Sequence, residues 1–420
     1  MTDKFIYECV DCKAEYSAGK PIYFCPSCQA GNKLGLPPRG VLKTIYNYTG
    51  IRKQYPGNGL FQRLQQEQFL PLLPLRGMDC WPNLRIGGTP MYMVDKRKGG
   101  QVADFEVFLK DDSQNPTFSF KDRASALVSA WARENGIDTL IAASTGNAGS
   151  SLAGICASQG QRSLIVVPEA APLAKLTQIL MYGAILVPVR GTYDQAFDLS
   201  VKMTEKYGFY NRNTAYNPLT IEGKKTVSYE IFMQLNYQVP DRIFIPVGDG
   251  VIFCGVCKGF EDLLNLGIID RMPILVAVQA QGSSNLIKNL GTDPFVTSPS
   301  KTIADSISVD VPRCFHMTAA YLKKYKGEVI SVPDAAILQA SVQLSKFSGI
   351  FTEPAAAAAY AGMLKYRDGG LIPVKSKNVV LLTGSGLKDL SAVQSSIRIP
   401  VPVEPDIASI EHIIHNYFLY

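Results

Sequence analysis

The chain has 420 residues, 46% hydrophobic and 19% charged, with a formal net charge of +6. That is material for two or three domains, and the mild charge, with no long Lys/Arg run, argues against a nucleic-acid surface. No stretch reaches the roughly 18 consecutive apolar residues that a membrane span needs, and Met1-Thr2-Asp3-Lys4 leads into no apolar leader segment.

Residues 1–40 stand apart. Cys9-Val10-Asp11-Cys12 and Cys25-Pro26-Ser27-Cys28 are two C-x2-C knuckles, a spacing that brings four thiolates into one tetrahedron around Zn²⁺. A unit this small lacks the apolar area to fold alone, so a structural zinc ribbon held by Cys9, Cys12, Cys25 and Cys28 is expected, closed by Pro37-Pro38-Arg39-Gly40. The other five of the nine cysteines are scattered, which suits a reducing, cytoplasmic setting better than a disulfide framework. Of three histidines, His412 and His415 lie near the end and only His316 is in the body. Chemistry built on a histidine base or a histidine-rich metal centre is therefore not expected.

Residues 41–104 resist assignment because Pro71, Pro74, Pro82 and Pro90 break any long element. From about residue 105, strand-length apolar runs at Glu106–Lys110, Thr139–Ala143, Ser163–Val167, Ala184–Val189, Arg242–Val247, Ile274–Val278 and Val379–Thr383 alternate with helical periodicity. The helical stretches include Lys121–Asn135, Asn147–Ser158, Leu173–Tyr182, Tyr193–Tyr207 and Cys254–Leu266. Such alternation predicts parallel sheets covered by helices, an α/β fold. Cys254 and Cys257, three apart on one helix, read as core. Residues 401–420 form a tail whose amphipathic part, 407–420, is expected to pack on the body or on a second subunit.

In such sheets ligands sit where strands run into helix N-termini, and four junctions carry suitable residues. Lys121 follows Phe118 and Phe120 and opens a helix; an apolar frame and a helix N-terminus both disfavour its ammonium, and a neutral amine reacts with a carbonyl. Ser144-Thr145-Gly146-Asn147-Ala148-Gly149 is a small-residue turn suited to a carboxylate, or a plain N-cap. Val247-Gly248-Asp249-Gly250 offers a nest of amides for a phosphate, with Asp249 counting against it unless its carboxylate points away. Thr383, at the end of the last strand, offers a hydroxyl to a ring nitrogen, or marks a turn.

These junctions, in this order, together with Glu222-Gly223-Lys224-Lys225-Thr226, Glu353-Pro354-Ala355-Ala356 and Gly386-Leu387-Lys388-Asp389, resemble the threonine synthase branch of the fold-type II pyridoxal-phosphate enzymes. The resemblance covers about residues 85–392. It implies a tryptophan synthase β-like α/β fold with two open twisted sheets flanked by helices, behind the zinc ribbon. The large cofactor-binding domain would combine 41–125 with 236–400, and 126–235 would form a small mobile α/β domain. It implies pyridoxal 5′-phosphate on Lys121, the 3′-oxygen on Asn147, the phosphate on Val247, Gly248, Asp249 and Gly250, and the ring nitrogen on Thr383. Ser144, Thr145, Gly146, Ala148 and Thr220 would face the substrate. The implied activity is a lyase that converts O-phospho-L-homoserine and water to L-threonine and phosphate, in a chain that often dimerises. A paralogous β-replacement or α,β-elimination enzyme, cysteate-synthase-like or dehydratase-like, is the alternative. Thr220 stands where the family usually has a phosphate-gripping arginine, Phe118 where it has glycine, and Ser385 where it has histidine. These departures bear on the substrate more than on the cofactor.

Overall fold

The computed structural model describes residues 4–33, 35–94, 104–394, 397 and 400–418. The amino-terminal unit is an antiparallel sheet of β1 (Phe5–Cys9), β2 (Glu15–Ser17) and β3 (Leu42–Tyr46) in the order β2-β1-β3. β1 and β3 alternate strictly between buried and half-buried residues, as one face packed on a core requires. β3 lies past residue 40, so the first unit's sheet extends across that expected boundary. Its strand pairs Cys9 with Leu42 and Phe5 with Tyr46.

β4 (Met91–Met93) and β5 (Glu106–Asp111) start a second sheet. The chain then builds a third from β6 (Thr139–Ala143), β7 (Arg162–Pro168), β8 (Ile185–Val189) and β9 (Tyr210–Asn211), all parallel in the order β8-β7-β6-β9. It returns through β10 (Arg242–Pro246), β11 (Ile274–Ala280), β12 (Glu328–Val332) and β13 (Lys377–Leu382) to complete the second sheet, ordered β12-β11-β10-β13-β5-β4. Only β4 runs antiparallel there. The α/β class with two helix-flanked sheets is as expected.

Strand order decides what meets what. β13 lies between β5 and β10, with Leu382 beside Asp111 and Val380 beside Phe244. The loops after β5, β10 and β13, far apart in sequence, therefore leave one carboxyl edge together. In the third sheet β9 lies beside β6, pairing Ile141 with Asn211, so the turn after Ala143 and the segment after Asn211 also share an edge.

Helices Lys121–Glu134, Asn147–Gln159, Leu173–Met181 and Tyr193–Tyr207 fall where the periodicity places them, within a residue. The helix expected from Cys254 starts earlier, at Val251, because Gly250 with φ 88° is its N-cap. Helix Pro354–Asp368 has no amphipathic signal because Ala355 through Ala361 are all buried. Cys254 and Cys257 are buried as core. His316 is half-buried and meets the ring of Phe315 edge-on at 5.4 Å. Helix Ile407–Phe418 leaves Ile407, Ile410 and Ile414 exposed in the single chain, and Leu419 and Tyr420 lie outside the described residues. No described helix is long and apolar enough to cross a membrane.

Candidate active site

Lys121 opens helix Lys121–Glu134, and the loop before it is stapled in place. Buried Asp122 accepts the Thr117 amide at 2.7 Å and the Thr117 hydroxyl at 2.5 Å. The Phe120 amide donates to the Thr383 carbonyl at 2.8 Å, and the Ser385 amide to the Phe118 carbonyl at 3.1 Å. The Lys121 and Thr383 loops are thus laced together by backbone bonds. Phe118 takes φ 67°, a conformation that costs a non-glycine residue about 1–2 kcal/mol. This accounts for glycine being usual there in the resembled family.

Lys121 is half-buried. Burial first, then the Arg212 charge, push its ammonium below the ordinary lysine value; Glu353 and Asp249 oppose. The side chain therefore gives up its proton more readily than a free lysine while solvent still reaches it. Two residues earlier, the Ser119 hydroxyl is buried and finds no partner among the described residues.

Asn147 is buried at the head of helix Asn147–Gln159, and its amide donates to both oxygens of Glu353 at 3.0 Å. Burial pushes the Glu353 carboxyl up, against the Asn147 amide and the Lys121 charge. Glu353 is thus a site residue that sequence reading placed only in an alanine-rich run. Ser144, Thr145, Gly146 and Ala148 are half-buried beside it. The Ser144 hydroxyl accepts the Gly146 amide at 3.2 Å, and a Cβ at Gly146 would meet nothing within 4 Å. Thr145, Gly146, Asn147, Phe118, Glu353 and Lys388 line a cavity of about 430 Å³. Lys121 and Thr383 are not in its wall, so the cavity is an approach to the site. Burial lowers the Lys388 ammonium to about 8, against Glu353 and Asp122.

The loop Val247–Gly250 ends β10 and caps helix Val251–Asn265, whose first amides have no intrahelical partner. A Cβ at Gly248 would come within 2.9 Å of the Ile307 Cα, and one at Gly250 within 2.2 Å of the Thr318 hydroxyl. The Asp249 carboxylate accepts the Arg313 amide at 3.1 Å, although its charge still acts on Lys121 and Lys224. Thr220 is fully buried, and its hydroxyl donates to the Asn217 carbonyl at 2.7 Å, which commits its proton to the backbone.

The four thiols of Cys9, Cys12, Cys25 and Cys28 lie within 4.8 Å of one another. Cys9–Cys28 stand at 3.8 Å and Cys12–Cys25 at 3.6 Å, close to the ~3.8 Å separation that a tetrahedral zinc with ~2.3 Å bonds imposes. The donor set and spacing fit that ion. For pyridoxal phosphate the fit is also good: an amine with a destabilised ammonium, an orphaned hydroxyl beside it, and a glycine-bearing helix N-terminus for an anion.

The sequence model of the pyridoxal-phosphate dependent enzymes matches residues 83–384. Threonine synthase of Methanocaldococcus jannaschii is 31% identical over 414 residues, covering 97% of this chain and 99% of that protein. The chain belongs to the threonine synthase family of pyridoxal-phosphate-dependent enzymes. Threonine synthase of Methanosarcina acetivorans is 32% identical, covering 97% and 98%, and that of Synechocystis is 35% identical, covering 81% and 88%. Among solved structures, the processed form of threonine deaminase isoform 2 from Solanum lycopersicum aligns with a TM-score of 0.64 at 22% identity, over 90% of this chain and 96% of that one. Maize serine racemase aligns at 0.62 and 21%, over 78% and 93%. These two likenesses establish the fold as type II. This family member is accordingly a lyase that uses pyridoxal phosphate.

Proposed function

We propose that the protein is a threonine synthase, converting O-phospho-L-homoserine and water to L-threonine and phosphate. The observation that carries this reading is the end-to-end match: 97% of the chain against 99% of the Methanocaldococcus jannaschii threonine synthase. Bound to the Lys121 amine, the cofactor would supply an electron sink for charge developing at the substrate α-carbon. The protein's part follows from the placements above. Lys121, with its destabilised ammonium, moves protons at Cα and Cβ. The head of helix Asn147–Gln159, with Ser144, Thr145, Gly146 and Ala148, holds the α-carboxylate. Val247, Gly248, Asp249 and Gly250 hold the cofactor phosphate, and the Thr383 hydroxyl meets the ring nitrogen. Asn147 serves the 3′-oxygen by redirecting an amide hydrogen now given to Glu353.

The segment 126–235 acts as a small domain that closes on 41–125 with 236–400. Bonds crossing between them support this: Asn147–Glu353, Lys175–Asp305 at 2.7 Å and Asp194–Arg313 at 2.6 Å. A structural zinc on Cys9, Cys12, Cys25 and Cys28 completes the amino-terminal unit. The nine free cysteines suit a cytoplasmic enzyme.

Two measurements test this reading. Borohydride-treated protein is expected to carry the cofactor mass on the peptide containing Lys121, with the visible band lost in Lys121→Ala. Phosphate is expected to be released from O-phospho-L-homoserine. An intact band without phosphate release rejects the threonine synthase reading and favours an elimination or β-replacement enzyme on another amino acid.

A further inference from the structure

Near Lys121 the chain places several buried cations, and two of them have carboxylate partners. Arg123 is held by Asp112 and Glu230. Lys225 is held by Glu222 at 2.6 Å and Asp262 at 2.8 Å. Lys224 differs. Its side chain is fully buried, its amine has no hydrogen-bond partner, and no carboxylate pairs with it among the described residues. Arg212 is equally buried, and its bonds go to neutral oxygens: the Ser125 hydroxyl at 3.0 Å, the Thr214 hydroxyl at 3.3 Å and the Lys121 carbonyl at 3.4 Å.

Both cations border the site. Arg212 follows β9, directly behind Lys121. Lys224 ends helix Leu219–Lys224, which lies so close to helix Lys121–Glu134 that a Cβ at Gly223 would stand 2.2 Å from the Arg123 carbonyl. Its own Cβ is 2.6 Å from where one would sit on Gly255, in the first turns of helix Val251–Asn265. Two desolvated cations that make no ion pair among the described residues are costly unless an anion joins them.

We propose that Lys224 and Arg212 form the binding pair for a phosphate monoester dianion at the amino end of helix Val251–Asn265. Two phosphates meet at this site in the function proposed above, the cofactor's and the substrate's, and the chemistry that recognises either is the same. The pair's dependence on an anion has a protonic signature. Burial first, then Arg212 and Lys121, hold the Lys224 ammonium well below the ordinary lysine value, with Cys314 and Asp249 opposing. A dianion raises it again, so binding takes up a proton.

The test uses full-length apoprotein and holoprotein, with Lys224→Met and Arg212→Met, and inorganic phosphate as the probe in calorimetry and thermal unfolding. Each substitution is expected to weaken phosphate binding by roughly tenfold or more. Proton uptake, read from buffers of different ionisation enthalpy, is expected to vanish in Lys224→Met. Without phosphate, Lys224→Met is expected to unfold at or above the wild-type temperature, because an unpaired buried amine is gone. If phosphate no longer binds once the cofactor is in place, and Lys224→Met loosens the cofactor by a similar factor, the pair holds the cofactor's phosphate. If the holoprotein still binds phosphate through Lys224, the pair holds the substrate's. Phosphate affinities within about twofold of wild type in both variants, or a Lys224→Met that only loses thermal stability, overturn the proposal. None of these readouts needs turnover. A failure to release phosphate from O-phospho-L-homoserine would reject the proposed activity and leave this result standing on its own.

Discussion

Replacing Arg123 by methionine is expected to cost about 3–5 kcal/mol of folding stability. Arg123 is 1% exposed and forks onto two carboxylates: Asp112 at 2.6 and 2.8 Å, and Glu230 at 2.6 and 2.8 Å. Lys110, also buried, reaches Glu230 at 2.6 Å, so the four charges balance. Without Arg123, Asp112 keeps only neutral side-chain donors among the described residues, the Thr89 hydroxyl at 2.6 Å and the Asn115 amide at 3.1 Å, and a buried carboxylate loses its counter-ion. An exposed pair would cost at most ~1 kcal/mol; this one lies in the core, two residues from Lys121. Restoring the balance should recover stability. Arg123→Met with Asp112→Asn leaves the Lys110–Glu230 pair intact, and the double variant is expected to be more stable than the sum of the two single losses by about 1–3 kcal/mol. Urea unfolding of the apoprotein followed by tryptophan fluorescence measures this, since Trp131 lies in the same helix and stacks on Tyr210 at 4.7 Å. A single-variant cost below about 1 kcal/mol, or strictly additive losses, would refute the reasoning.

Phe118→Gly should relieve the positive φ and leave the melting temperature equal or higher, while removing an aromatic wall of the cleft; a raised KM with unchanged stability is the expected pattern, and a lower melting temperature contradicts it. Burial pushes the Glu230 and Glu261 carboxyls up, but Arg123 and Lys110 for the first, and Lys43 and Lys258 for the second, pull each down to about 2. Both folded values lie below the unfolded ~4.3, so their stabilisation is full above that pH and fades as pH falls toward ~2. Acid titration of stability in Glu230→Gln should show a shallower slope across that window, and an unchanged slope would assign the acid response elsewhere. Chelation of the as-isolated protein should expose the thiols of Cys9, Cys12, Cys25 and Cys28 to a thiol reagent and lower the melting temperature. The reason is that the ribbon docks through the Tyr23 hydroxyl, which accepts the Asn211 amide at 3.1 Å, and the Tyr46 hydroxyl, which donates to Glu222 at 2.6 Å. Equal thiol reactivity before and after chelation argues against a bound metal.

The alternating strands and helices from Glu106 to Tyr207 were legible because each is a local pattern of burial with its own period, and the two C-x2-C knuckles because ligand spacing is local as well. That Lys121 opens a helix behind Phe120 was legible as well. The long-range placements were not legible. That Asp249 turns toward Arg313, that Asn147 is held by Glu353 some two hundred residues on, and that Thr220 spends its hydroxyl on Asn217 are facts of packing. Position in the chain does not distinguish Lys224 from Lys225 and Arg123, and the fold shows that carboxylates hold the latter two. Local sequence sets which backbone form a segment adopts and which groups it carries, because propensity and periodicity act within a few residues. Whether a buried charge is fully paired depends also on strand order and helix docking, which bring Glu230 to Arg123 from about a hundred residues away and leave Lys224 without an ion pair among the described residues; that part was decided by the tertiary structure.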